Sequence, residues 1–348
     1  PSESRRERPF CELLEGDLQE LGMNPVRQEV GEACGSDGFN LYAMFPGEGE
    51  PILFCAHMDT MEPGVGINPV ITDGVIRSDG TTILGSDDKA GIAATLEAIA
   101  EIKATNKPHR PVEVLFTICE EVGLLGAKHA DYSMVQSQQA VVLDTGKMGC
   151  IINMQAAYMK LQVEIKGKSA HAGIAPDLGI HALKAATDAI AKMRCGFLGE
   201  NSVMNVANLL SPGKTNAVPD IATFEIEMRS HSQDELTFLV AQTKAQIEEA
   251  CKAYGASCTI KEDLASDFLN VPADHPLITL LSGAMEQIGL TPSVERTYGG
   301  CDATWLSANG IAVVNTGVGM RDAHSLDENI PVADLVSTAE LLERLMLV

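Results

Sequence analysis

The chain has 348 residues, 45% of them hydrophobic, which suits two packed cores held without staples. Its 48 acidic against 25 basic residues leave a formal net charge of -23 at pH 7, opposing any general affinity for phosphate backbones or anionic lipid, so nucleic acid and membrane partners are set aside. The nine cysteines are an odd set without a C-x-x-C pair, which argues against a disulfide framework and a thiolate metal site and points to a reducing, cytoplasmic setting.

The start, Pro1-Ser-Glu-Ser-Arg-Arg-Glu-Arg8, is charged and lacks the apolar stretch of a signal peptide. The missing initiator Met leads us to expect residues upstream of Pro1. From residue 51 onward, short apolar runs alternate with helical stretches: Ile52 to Cys55, an Ala-rich segment from Ala90 to Ala104, Val112 to Ile118, and Ala140 to Leu143. Ile92, Leu96, Ile99 and Lys103 fall at helical spacing. The strands are continuously apolar, as burial under helices on both faces requires, so the expected architecture is an α/β sheet.

Near residue 158 the pattern changes. Met159, Leu161, Val163 and Ile165 alternate with Lys160, Gln162, Glu164 and Lys166, the mark of a strand with one wet face. Helical stretches at about 180–193 and 234–254 then alternate with strand-like runs at 202–210, 222–228 and 257–261. After Asp267 the α/β rhythm resumes with a helix at 275–288, a strand at 311–315 and a final helix at 331–347. The expected organisation is therefore a discontinuous catalytic domain, 1–157 and 268–348, with an inserted α+β domain at 158–267. No internal repeat or low-complexity tract interrupts it.

The chemically informative residues gather at the predicted carboxyl ends of strands, where open α/β sheets place their ligands. His57-Met-Asp59 closes the first strand, Asp87-Asp88-Lys89 precedes the Ala-rich helix, Glu120-Glu121 ends the third strand and Asp144 the fourth, and His324 follows the last. Any one of these is weak evidence, since acidic pairs are usually solvated. Their recurrence inside apolar runs is different, because buried charges need partners. Imidazole and carboxylate donors without thiolate suit zinc, with manganese or cobalt as alternatives.

Phe54-Cys-Ala-His-Met-Asp-Thr60, Asp79 to Gly91, Glu120-Glu-Val-Gly-Leu-Leu-Gly-Ala127 and the stretch from Asn153 through Ser169-Ala-His-Ala-Gly173 together resemble the peptidase T, carboxypeptidase G and aminoacylase family of di-zinc hydrolases. The resemblance covers essentially the whole chain and looks nearest to the peptidase T-like, tripeptide aminopeptidase branch. It departs from that branch at Ser169 to Gly173 and in a shorter length. It implies a zinc exopeptidase-like catalytic domain with a mixed sheet and an inserted lid and dimerisation domain. It implies that Asp87 bridges two zinc ions, one completed by His57 and Asp144 and the other by Glu121 and His324. It further implies that Glu120 is the general base, that Asp59 accepts the other N–H of the His57 ring, and that the Asp87–Asp88 peptide is cis. His171 would donate to the developing oxyanion of the partner's site in a homodimer.

Two residues of the inserted domain complete the expectation. A guanidinium at Arg229 could grip a peptide carboxylate, although a salt bridge to a nearby Glu explains it as well; Asn216 carries a similar, weaker expectation. Asp88 and Lys89 are read as helix starters, Cys55 and Cys301 as buried inert thiols, and the remaining histidines as surface or packing residues. The Gly299 to Ala303 and Gly317 to Gly319 loops match no nucleotide fingerprint and are read as turns or as backbone approaching substrate. The activity expected is removal of the N-terminal residue of tripeptides. A related amidohydrolase acting on N-acyl amino acids or peptide carboxyl ends is the alternative, and an inactive metal-bound binding protein is the alternative of another class.

Overall fold

Strands that carry no polar interruption must be covered on both faces, and this places them at the centre of the fold. In the computed structural model, which describes residues 1–347, one compact unit comprises Pro1–Gln155 with the stretch from Phe268 onward, and a second comprises Ala156–Asp267.

The first unit opens with α1 (Arg8–Glu20), β1 (Val26–Gln28), α2 (Gly31–Cys34), β2 (Asn40–Phe45) and β3 (Ile52–His57). It continues with β4 (Val70–Thr72), β5 (Val75–Arg77), α3 (Ser86–Thr105), β6 (Val112–Thr117), α4 (Leu125–Lys128), β7 (Gln139–Thr145) and β8 (Cys150–Gln155). The second unit contains β9 (Ala157–Lys166), α5 (Ala182–Lys192), β10 (Gly196–Phe197), β11 (Ser202–Leu210), β12 (Ile221–Ser230), α6 (Gln233–Tyr254) and β13 (Ser257–Ser266). The chain returns through β14 (Leu269–Asn270), α7 (Pro276–Gln287), β15 (Ser293–Thr297), α8 (Ala303–Ala308), β16 (Ala312–Gly317), β17 (Asn329–Pro331) and α9 (Val332–Met346).

The main sheet of the first unit runs β1-β2-β6-β3-β7-β16-β8-β14, with β15 also on β8. Its centre, β6-β3-β7-β16, is parallel, in register Ile52 with Val112 and Ala312 with Gln139. The outer strands β1, β2 and β14 pair antiparallel, so the sheet is mixed, as expected. Every residue of β3 and β6 is buried. Phe54 and Phe116 are among the largest fully enclosed side chains, and truncating either to Ala costs about 3–5 kcal/mol. Helix α3 packs on α9 and on β3.

Two features of this unit were not expected. Residues 8–45 hold ordered helix and strand, with Cys11, Leu14 and Leu18 forming the buried stripe of α1. Helix α3 also begins earlier than Ala90, through a non-helical step at Asp87 (φ -83, ψ 102) and Asp88 (φ -117, ψ 29); the peptide between them is cis, as the resemblance implied.

In the second unit, the sheet β10-β11-β12-β9-β13 is antiparallel throughout. The period-two alternation of β9 survives in its burial: Leu161, Val163 and Ile165 are buried while Lys160, Gln162 and Lys166 are exposed. Helices α5 and α6 cover the apolar face. Among the described residues, no helix is long and apolar enough to cross a membrane.

Candidate metal centre

Parallel strands end on one edge of the sheet, and there the first unit brings its scattered acids and imidazoles together. His57 is the last residue of β3, Glu120 and Glu121 follow β6, Asp144 lies near the end of β7, and His324 is in the loop after β16 with a left-handed backbone (φ 64). Asp87, at the non-helical entrance to α3, reaches both imidazoles. Its Oδ1 lies 3.1 Å from His57 Nε2 and its Oδ2 3.2 Å from His324 Nε2. His324 Nε2 is also 2.9 Å from Glu121 Oε2. The result is two donor groups, His57–Asp87–Asp144 and Asp87–Glu121–His324, sharing Asp87, with donor atoms in each within 4.8 Å of one another.

These side chains are held by others. Asp59, fully buried, accepts from the amides of Glu120 (2.9 Å) and Glu121 (3.2 Å) and from the Ser4 hydroxyl (2.7 Å). Both its backbone carbonyl and its carboxylate face the His57 ring. Nδ1 lies 3.0 Å from the backbone carbonyl of Asp59 and 3.5 Å from its carboxylate, because that carboxylate is turned to the 120–121 amides. Asn315 clasps Asp144 through both backbone groups, accepting from its amide (2.9 Å) and donating to its carbonyl (2.7 Å). Glu328 accepts from the amides of Leu84, Gly85 and Asp87 and from the Ser86 hydroxyl, tying down the entrance to α3.

The electrostatics test whether cations fit. Burial pushes the Glu120 carboxyl well above the usual range, and the neighbouring Asp144, Asp302 and Glu121 add to it. Desolvation and the adjacent Asp87 do the same to Asp144. For Asp87, burial works upward, but the hydrogen bonds from His324 and His57 outweigh it and hold the carboxyl low. His324, beside Asp87 and Glu121, is pushed up to about 10. So many converging carboxylates are costly to ionise together, and divalent cations would remove that cost. The all-oxygen and imidazole donor set suits zinc, manganese or cobalt. Cys55 and Cys301 take no part: burial drives both thiols well up, and Cys301 accepts from Gln155.

Asp88 does more than start a helix. It is fully buried, and its Oδ2 accepts from the His57 amide at 3.3 Å. Lys89 is half-buried beside it, with its enclosed ammonium 4.9 Å from the Phe10 ring. In the Gly299 to Ala303 loop the buried group is Asp302, which accepts from the Thr117 hydroxyl and is pushed up to about 6 by burial.

In the second unit, His171 and Asn216 are neighbours. His171 bridges to Ala217, and Ala172 donates to the Asn216 carbonyl at 2.9 Å. His171 is exposed, with Nδ1 accepting from Gly173 at 3.2 Å. Arg229 sits on β12 with Nε donating to Glu227 at 2.6 Å and its guanidinium 4.3 Å from the Tyr158 ring. The other histidines pack or cap: His181 and His275 cap α5 and α7, and His109 stacks on Phe45.

Sequence reading missed Glu328, Asn315, Asp302, Ser4 and Glu7. Glu328 stood four residues after His324 in a run already singled out, and Asn315 closed a predicted strand. Ser4 and Glu7 were hidden in a start read only as charged.

The family model for Peptidase family M20/M25/M40 matches residues 53–348. A Bacillus subtilis protein, YqjE, is 34% identical over 344 residues, covering 98% of this chain and 93% of its own. The crystal structure of aminopeptidase PepT from Bacillus cereus superposes with a TM-score of 0.93 at 35% identity, covering 99% of this chain and 94% of that one. A Staphylococcus aureus tripeptidase gives a TM-score of 0.95 at 27% identity, covering 99% and 93%.

Proposed function

The chain belongs to peptidase family M20/M25/M40, a metallopeptidase family, and from that premise we propose that it is a di-zinc aminopeptidase releasing the N-terminal residue of tripeptides. One observation carries the reading: the Asp87 carboxylate offers one oxygen to each of two donor groups. On this reading His57, Asp87 and Asp144 hold one cation, and Asp87, Glu121 and His324 hold the other. The similarity to structures described as an aminopeptidase and a tripeptidase supports the choice of substrate.

Two such cations, when bound, polarise the scissile carbonyl and lower the pKa of a bound water. Glu120 belongs to neither donor group. Its carboxylate takes the water's proton as the nucleophile forms and delivers it to the leaving amine. Its burial matches a base that must accept a proton near neutral pH, since desolvation raises its affinity for one. Asp59 acts on both glutamates through their amides. His171, brought by a second copy of the chain, donates to the oxyanion; Arg229 and Asn216 bind the peptide's far end. The cytoplasm is the proposed location.

The test uses zinc-loaded protein and a mixture of di-, tri- and tetrapeptides, free, N-acetylated or C-amidated, with products identified by mass spectrometry. Tripeptides should lose their first residue, and acetylation should abolish cleavage. Release of a C-terminal residue from acetylated peptides would overturn the aminopeptidase reading. The same panel run on Arg229→Ala examines the carboxylate grip, which fails if Michaelis constants for free and amidated tripeptides both stay at wild-type values.

A further inference from the structure

The turn that carries Glu120 and Glu121 has an unusual hydrogen-bond account. Its carbonyls are satisfied from within: Gly126 donates to Ile118 (2.9 Å), Leu125 to Cys119 (3.0 Å), and Gly123 and Leu124 to Glu120 (2.9 and 2.8 Å). Its amides are not. Four consecutive N–H groups, 118 to 121, each donate to a side chain from a distant part of the chain. Ile118 donates to Asn40 (3.1 Å), Cys119 to Glu7 (3.2 Å), and Glu120 and Glu121 to Asp59 (2.9 and 3.2 Å). Among the described residues no strand ladder holds these amides, so those three acceptors tie the backbone on that side. Cys119 also takes a left-handed conformation (φ 55), which a non-glycine residue holds only when its surroundings impose it.

Glu7 is the acceptor whose position calls for explanation. It stands at the N-cap of α1, where a side chain ordinarily accepts from the first helical turn, yet it makes no such bond. Its fully buried carboxylate turns away from the helix. Oε1 accepts from Cys119 N and from Arg5 N (2.8 Å), and also faces the Cys119 thiol (3.2 Å), while Oε2 accepts from the Ser36 hydroxyl. The same segment reaches the loop after β3. Ser4 donates through its hydroxyl to Asp59 (2.7 Å), the Ser4 amide to Thr60 (3.1 Å), and the Ser2 hydroxyl to Met58 (2.7 Å). Residues 2–7 thus grip both the turn itself and the carboxylate that holds the rest of it.

We infer that Glu7 is a positioning residue for the Glu120–Glu121 turn, and that the segment before α1 is a working part of the active site. The inference rests on Glu120 being the base, and it locates what aims it. Glu7 touches no reacting atom. It acts by fixing Cys119 N, from which the directions of the next two side chains follow. A displacement of about 1 Å at the turn is enough to cost about 100-fold in turnover.

The experiment compares zinc-loaded wild type with Glu7→Leu, Glu7→Gln and the control Asp37→Ala. The control removes the adjoining anchor, in which Asp37 accepts from the amide of Arg8 at the start of α1 (3.0 Å), without touching the turn. Three quantities are read: kcat and KM, bound metal, and deuterium uptake of the peptide spanning residues 116–124. With metal in excess, Glu7→Leu should lower kcat about 100-fold at unchanged KM and hold its metal more weakly through Glu121, with faster exchange confined to 116–124. Glu7→Gln, which keeps a carbonyl oxygen in place, should recover most of these effects, and Asp37→Ala should show none. Wild-type kcat and exchange in folded Glu7→Leu would overturn the inference, as would equal losses in Asp37→Ala. Should Glu7→Leu fail to fold, Glu7→Ala, which also removes the acceptor, decides: faster exchange at 116–124 than in Glu7→Gln supports positioning, and wild-type exchange in folded Glu7→Ala overturns it. Glu120→Gln assayed alongside separates the premises. Full activity there removes the base assignment, while the exchange result tests Glu7 independently of it.

Discussion

Glu120 and Glu121 are adjacent in the chain, yet their surroundings separate them. Glu121 lies 2.9 Å from His324 and shares a donor group with it, while Glu120 stands outside both groups among other buried acids. A base and a ligand respond differently to removal of a charge. Glu120→Gln is therefore expected to lower kcat by about 100- to 10,000-fold while metal analysis still finds the wild-type amount. Metal falling in step with activity would mean that the two roles are reversed. Asp59 shows the same economy, since one buried carboxylate takes both amides and the Ser4 hydroxyl, leaving the His57 ring nearer to the backbone carbonyl.

At the level of elements, the site depends on how α3 begins. The step through Asp87 and Asp88 interrupts helical geometry, so the amides of Leu84, Gly85 and Asp87 need an outside acceptor. Glu328, just ahead of β17, is that acceptor and takes the Ser86 hydroxyl as well. Replacing it by Ala leaves buried donors unpaired, at about 1–3 kcal/mol for each group that water cannot reach. It also releases Asp87, the carboxylate that the two donor groups share. Glu328→Ala should lower the thermal midpoint and weaken zinc binding by about 10- to 100-fold, read by competition against a chelator. Unchanged zinc affinity in a folded variant would show that Asp87 is aimed by other contacts.

For the whole molecule, the donor groups lie in the first unit while His171 lies in the second. The proposal that His171 serves a partner's site makes the dimer the unit of catalysis. Two inactive variants, Glu120→Gln and His171→Ala, should then complement each other when mixed and allowed to exchange subunits, because a hybrid holds one site with both groups intact. Native mass spectrometry would establish exchange. Hybrids without activity would end the idea of a shared site.

Much of this protein could be read from its residues alone. Uninterrupted apolar runs at 52–55 and 112–118 have few ways to hide from water other than between helices, so the α/β architecture followed from composition and period. The period-two pattern from Met159 marked the other kind of sheet for the same reason, since alternation records one wet face. His57, Asp87, Glu120, Glu121, Asp144 and His324 were legible because charged groups at the ends of apolar strands need a reason to be there. The supports around them were not legible. Glu7, Asn40, Asn315 and Glu328 sit in ordinary local contexts, and their importance comes from hydrogen bonds spanning 78 to 244 positions of chain. Local pattern reports which groups must leave water; which backbone amide each distant carboxylate will meet is a matter of packing, and packing exists only once the chain has closed on itself.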